Sequence, residues 1–209
     1  MIELGKKQKL LVVKTVDFGI YLGEDRNAPQ NERVLLPSKQ VPEGTKAGDE
    51  IEVFIYKDSQ DRLIATTREP MLQVGQTAVL KVKQVTRIGA FLDWGLEKNI
   101  LLPYKEQTTH VNQGEEYLVA LYIDRSNRLA ATMKVSRYLT TTDKYVKDSA
   151  VSGTVIGIKP DHGIYVAIDD AYYGFITRNE MSDDIKIGDV VYGRVIKVRE
   201  DGKLTISIH

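Results

Sequence analysis

Cysteine is absent from all 209 residues, which excludes disulfides and thiolate zinc sites. Net charge is absent as well, because 29 basic and 29 acidic side chains cancel. The balance holds along the chain: 11 basic and 12 acidic groups in residues 1–69, 8 and 6 in 70–135, and 10 and 11 in 136–209. No segment is a polybasic clamp, so any nucleic-acid binding must rest on local geometry more than on bulk charge. No stretch approaches the ~18 apolar residues of a membrane span, and Met1-Ile2-Glu3-Leu4 does not open a signal peptide. The expected setting is the cytoplasm, with no membrane partner. Histidine is scarce, and His110, His162 and His209 lie far apart. Neither a Gly-x-x-x-x-Gly-Lys phosphate loop nor a His-Glu-x-x-His metal motif occurs. With no nucleophile, base or metal cluster in evidence, the chain reads as a non-enzyme without cofactor or metal. Helical periodicity is weak throughout.

What is present is repetition. Gly19-Ile20-Tyr21-Leu22 returns as Gly89-Ala90-Phe91-Leu92 and as Gly163-Ile164-Tyr165-Val166, with spacings of 70 and 74 residues. That period exceeds the ~20–50 residues of solenoid repeats and is just long enough for each copy to bury a core of its own. Other elements recur in fixed order. An apolar pair precedes the glycine: Val13 and Val16, Val82 and Val85, Val155 and Ile158. A second apolar run follows it: Val34-Leu35-Leu36-Pro37, Ile100-Leu101-Leu102-Pro103, Gly174-Phe175-Ile176-Thr177. Next come a Gly-acid turn (Gly48-Asp49, Gly114-Glu115, Gly188-Asp189) and a basic-Leu strand (Arg62-Leu63, Arg128-Leu129, Lys203-Leu204).

Most of each copy reads as strand. In the first, Leu10 to Val16, Ile20 to Leu22, Val34 to Leu36, Ile51 to Tyr56 and Leu63 to Thr67 are short, β-branched or aromatic, and bounded by polar or glycine turns. Five strands in so small a unit must close or nearly close, or long edges stay exposed. The five-stranded oligonucleotide/oligosaccharide-binding (OB) barrel meets that demand. The expected fold is therefore all-β: three tandem five-stranded OB barrels at 1–68, 72–135 and 148–209, with little helix. Glu69 to Gln73 forms a short link, whereas Ser136 to Ser149 reads as a flexible or briefly helical connector.

These elements resemble the RNA-binding domain of ribosomal protein S1, whose pattern is an aromatic-Gly-x-aromatic second strand, an apolar third strand ending in a polar or histidine position, and an Asp-x-x-x-Arg turn into the last strand. Three such copies in one chain further resemble the conserved virulence factor B family, in which a winged helix follows. No winged-helix segment is present here, and the resemblance implies an N-terminal portion of a longer bacterial regulator. It also implies binding of single-stranded RNA, with single-stranded DNA bound more weakly, on one face of each barrel.

Carried over residue by residue, the resemblance places Phe18, Tyr21, Pro37, Asp58 and Arg62 on that face in the first copy. In the second it places Ile88, Phe91, Pro103, Asp124 and Arg128 there, so an aromatic is lost. In the third the matching positions are His162, Tyr165, Thr177, Arg199 and Lys203, with a cation replacing the acid. The third copy is then the most cationic at the expected site, the first keeps the fuller aromatic pair, and the second is poorest. The physical reason stands apart from the family. Residues two apart on a strand share a face, flat rings stack on any base for roughly 1–3 kcal/mol each, and neighbouring cations meet phosphate. The bland readings are that Gly19, Gly89 and Gly163 are architectural, that Asp58 and Asp124 fix their turns, and that Trp94 packs at a domain junction. The rival function is docking on a ribosome, polymerase or nuclease partner, through the second copy above all.

Overall fold

The computed structural model describes residues 1–209 as fifteen strands in three five-stranded units. The first unit contains β1 (Lys7–Val16), β2 (Gly19–Gly23), β3 (Val34–Pro37), β4 (Glu50–Lys57) and β5 (Leu63–Thr66). The second contains β6 (Thr77–Val85), β7 (Gly89–Asp93), β8 (Ile100–Pro103), β9 (Glu116–Ile123) and β10 (Leu129–Thr132). The third contains β11 (Ala150–Lys159), β12 (Gly163–Ile168), β13 (Tyr172–Thr177), β14 (Val190–Val198) and β15 (Leu204–Ser207). The first and third close fully, each through a parallel pairing of the third strand with the fifth. In the second unit β8 and β10 lie side by side without a hydrogen-bonded ladder. The fold is all-β as expected, and its helix is confined to short 3-10 turns.

The shared motif has a shared cause. Gly19, Gly89 and Gly163 begin their strands at φ of 152°, 146° and 146°, and a Cβ on any of them would collide with the carbonyl oxygen of Leu36, Leu102 or Ile176 across the ladder. Only glycine permits so close an approach of two backbones. Each first strand also carries an irregularity at one place, between Val12 and Lys14, Val82 and Gln84, and Val155 and Gly157. Such bulges bend a long strand so that it can pair on both sides of a small barrel.

A further repeat escapes the sequence pattern. The 3-10 turn after each third strand ends in Gln40, Glu106 or Glu180. Its side chain accepts a hydrogen bond from the buried hydroxyl closing the last strand: Thr66 at 2.6 Å, Thr132 at 2.7 Å and Ser207 at 2.9 Å. A buried hydroxyl without a partner is destabilising, and one residue per unit removes that cost.

The units are not free beads. The core of the second unit takes in Phe54 of β4, and Trp94 is buried with its ring centroid 5.6 Å from that of Phe54 and 6.4 Å from that of Tyr56. The indole N–H donates to the Lys98 carbonyl at 2.6 Å, which satisfies its one polar group. Trp94 is a junction residue, as its bland reading holds. Between the second and third units, Leu118, Ala120, Val135, Leu139 and Ala167 form a separate buried cluster.

The connector begins with the brief helical turn expected of it, at Ser136–Tyr138, and is tied down beyond it. Instead of hanging free, Thr140 pairs with Tyr172 beside β13: its N–H donates to Ala171 at 2.9 Å, and its carbonyl accepts from Tyr173 at 3.1 Å. Leu139 is buried at the seam, and Tyr145 packs against the third core and bonds Asp169. Composition marked the segment as polar. The long-range pairing that orders it leaves no local signature.

Candidate nucleic-acid interface

Alternation along the second strand of each unit points Tyr21, Phe91 and Tyr165 to one side of the sheet, each half-buried between buried neighbours. Their cross-strand partners are Leu35, Leu101 and Phe175. Only the third unit therefore sets two rings opposite each other, with Tyr165 and Phe175 centroids 5.3 Å apart and tilted by 55°. The first unit obtains a pair differently: Phe18, 56% exposed on the preceding turn, meets Tyr21 edge-on at 6.2 Å. Ile88 holds that turn position in the second unit, 60% exposed and without a ring.

The turn before each fifth strand is one structure made three ways. Asp58, Asp124 and Arg199 each donate a backbone N–H to the carbonyl of Arg62, Arg128 or Lys203, at 2.8 to 2.9 Å. Their own carbonyls accept from Asp61, Asn127 and Gly202, all at positive φ. The Asp58 carboxylate accepts the N–H groups of Gln60 and Arg62 at 2.9 and 3.0 Å, and Asp124 does the same for Ser126 and Arg128. Partial burial works against the charged form of both carboxyls. The hydrogen bonds and the nearby arginines outweigh it and hold both below the usual carboxylate range. These acids fix their turns, in keeping with their bland reading.

The faces then diverge. Arg62 closes back on Asp58 at 3.0 Å. Arg128 instead reaches the preceding unit, its Nε and Nη2 lying 2.8 and 2.7 Å from the Asp61 carboxylate. Lys98 donates to the Asp58 carbonyl at 3.1 Å from the same side. Tyr56, Asp61, Phe91, Leu101 and Arg128 consequently line one small cavity of about 220 Å³ at the junction. The face expected on the second unit is crossed by the turn of the first.

The third face borders a larger groove. Tyr165, Phe175, Arg199 and Lys203 line one groove of about 570 Å³. Lys159 stands over the Tyr165 ring at 5.4 Å and Lys203 over the Tyr173 ring at 4.6 Å, both within cation–π range. Arg199 is held by Asp201 at 3.0 Å, an exposed pair of small energetic weight. His162 sits exposed on the turn before β12, outside the groove. Phe175 and Lys159 were not singled out from sequence, whereas either Tyr172 or Tyr173 was expected to face out near Tyr165. Phe175 was nevertheless legible, since it occupies the second place of the run in which the other copies have Leu35 and Leu101.

The S1 domain model matches residues 4–68 and 74–134, and that of the second domain of the virulence regulatory factor CvfB matches 135–209. The chain belongs to the S1-domain family. Among curated relatives of this S1-domain chain, the uncharacterized protein YitL of Bacillus subtilis is 30% identical over 217 residues, covering 98% of this chain and 70% of YitL. Conserved virulence factor B of Staphylococcus saprophyticus is 26% identical over 189 residues, covering 86% of this chain and 63% of the relative. Its Staphylococcus aureus counterpart is 25% identical with the same coverage. The resemblance to the virulence factor B family therefore holds. A crystal structure from Streptococcus pneumoniae, described as a multidomain protein with nucleic acid binding domains, superposes at a TM-score of 0.61 with 21% identity, over 99% of this chain and 74% of that one. That likeness concerns the fold. The matched families are of nucleic-acid-binding and regulatory type, not enzyme families, and no helix is long and apolar enough to cross a membrane.

Proposed function

We propose that this chain binds single-stranded RNA, chiefly on its third barrel, as a bacterial post-transcriptional regulator acting in the cytoplasm. The observation that carries this reading is the groove that Tyr165 and Phe175 line together with Lys159, Arg199 and Lys203. Rings of this kind take bases from a splayed single strand, and the cations follow its phosphates. Single-stranded DNA offers the same bases and phosphates but lacks the 2′-hydroxyl, and is the weaker ligand. Phe18, Tyr21 and Arg62 supply a second, smaller platform on the first barrel, so one strand held at two places gains by effective concentration. Phe91 and Arg128 serve the junction. Protein docking through the second unit loses its strongest candidate ring, because Trp94 is buried.

The test is fluorescence anisotropy with a labelled oligouridylate of about 10 nucleotides, within the ~4–16 that one OB barrel covers. Replacing Tyr165 and Phe175 together with alanine lowers affinity about tenfold or more, and replacing Phe91 leaves it nearly unchanged. Equal affinities for the wild-type protein and the Tyr165/Phe175 variant, both folded by their melting profiles, overturn the reading.

A further inference from the structure

The groove on the third barrel has a second wall, and it belongs to the second unit. Thr108, Met133, Lys134 and Ser136 line it opposite Tyr173 and Lys203. We propose that the seam between the second and third barrels is a nucleotide subsite built jointly by both. It takes one nucleotide of the strand that continues from the third barrel's face. This inference rests on the RNA reading above and adds a contributor that the single-barrel pattern does not contain.

Three observations carry it. The groove's floor is fixed: Val135 and Leu139 belong to the buried seam cluster, and Tyr173 packs against that cluster. Polar links reinforce it. The Tyr173 N–H is bonded to Thr140 at 3.1 Å, and the Thr77 hydroxyl donates to the Asp170 carbonyl at 2.5 Å across the two barrels. Binding there requires no ordering of a loose junction, which lowers its entropic cost.

The lining is also one-sided in charge. Lys134, Lys159, Arg199 and Lys203 are among the lining residues, and no carboxylate is. In a chain of zero formal charge such a local excess is informative. It suits a ligand carrying phosphate and disfavours a strongly basic peptide. Lys134 is exposed and makes no ion pair, and the Thr108 hydroxyl makes no hydrogen bond within the protein.

The size and chemistry agree as well. About 570 Å³ lies within the ~300–1,000 Å³ of ligand pockets. Apolar Met133 and the Tyr173 ring give a base a surface to lie against, Lys134 meets the adjoining phosphate, and Thr108 can hydrogen-bond the base edge or ribose. The third barrel alone supplies one side of this arrangement.

The experiment uses the full chain, the same labelled oligouridylate and a series of salt concentrations. Each phosphate contact to a single strand contributes about −0.7 to the slope of log affinity against log salt. Lys134→Ala is therefore expected to flatten that slope by about 0.7, while Lys105→Ala, an exposed cation of the second unit outside the groove, leaves it as in the wild type. Photocrosslinking with 5-iodouridine in the oligonucleotide is expected to label Met133 of the second unit in addition to rings of the third. An unchanged slope for Lys134→Ala, or adducts confined to the third barrel, overturns the joint subsite while leaving the RNA reading intact. If the wild-type chain binds no RNA and a polypeptide occupies the seam instead, both fall, and the absent wild-type signal identifies that case.

Discussion

The second and third barrels present the same surface to opposite fates. On the second, Phe91 and Arg128 are faced by Tyr56 and Asp61 of the preceding unit, and the arginine's partner is a carboxylate of its own chain. On the third, Tyr165 and Lys203 line a larger groove that holds no carboxylate, and Lys203 has no acid within ion-pair distance. Each face is bordered by the preceding unit, and the difference lies in what that neighbour brings: the Asp61 carboxylate at the first junction, Lys134 and no carboxylate at the second. An S1-type pattern in sequence thus describes a potential site, and the junction decides whether it is available.

The most damaging way to break this comparison is at the junction itself. Trp94→Ala removes a buried ring packed on Phe54 and Tyr56 and is expected to destabilise the protein by about 3–5 kcal/mol. Urea denaturation monitored by hydrogen exchange should show the first two units loosening while the core of the third keeps its protection.

A milder change tests whether the second face is merely occupied. Asp61→Asn removes the carboxylate charge from Arg128 at an exposed position, so the fold should be nearly unaffected. Freed, Arg128 adds a phosphate contact, and the salt slope of RNA binding is expected to steepen by about 0.7. An unaltered slope would show that Tyr56 and Trp94 close the face without help from the ion pair.

The smallest expected effect is a matter of pH. Asp58 and Asp124 have carboxyls lowered in the folded state by the N–H groups and arginines around them, against the opposing effect of burial. A lowered folded value means stability that is fully present above the unfolded carboxylate value and lost as pH falls through the folded one. Acidification should therefore weaken the first and second turns, and replacing both aspartates with asparagine should remove that part of the acid sensitivity. Arg199 places no carboxylate there and contributes nothing to it. Stability curves of the wild type and the double variant between neutral and acidic pH make the comparison.

Features set by local chemistry were legible in the sequence. The three glycines are needed where one backbone crosses another, and alternation assigns Tyr21, Phe91 and Tyr165 to a face without knowledge of the rest. The repeated turn was visible through Asp58 and Asp124. What stayed hidden depends on residues far apart in the chain. Asp61 meets Arg128 and Thr140 joins β13 because of how whole barrels pack, and neither residue type announces that partner. Gln40, Glu106 and Glu180 were missed for a related reason. Two amide- and acid-bearing side chain types do one job, bonding a hydroxyl about 26 residues away, so no identity repeats.

The position of positive φ in the last turn bears on how the chain was assembled from its copies. Asp61, Asn127 and Gly202 occupy it, with φ of 64°, 62° and 84°. Any of the three residue types tolerates that backbone in isolation. In the third unit, however, a Cβ would come within 2.8 Å of Thr141 in the connector, whereas in the first the side chain is what grips Arg128. The three barrels are therefore not interchangeable parts. Transplanting the first copy into third place would press Asp61 into the connector, and moving the third forward would leave Arg128 without its partner. Order along the chain is written into a single residue of the first turn and of the third.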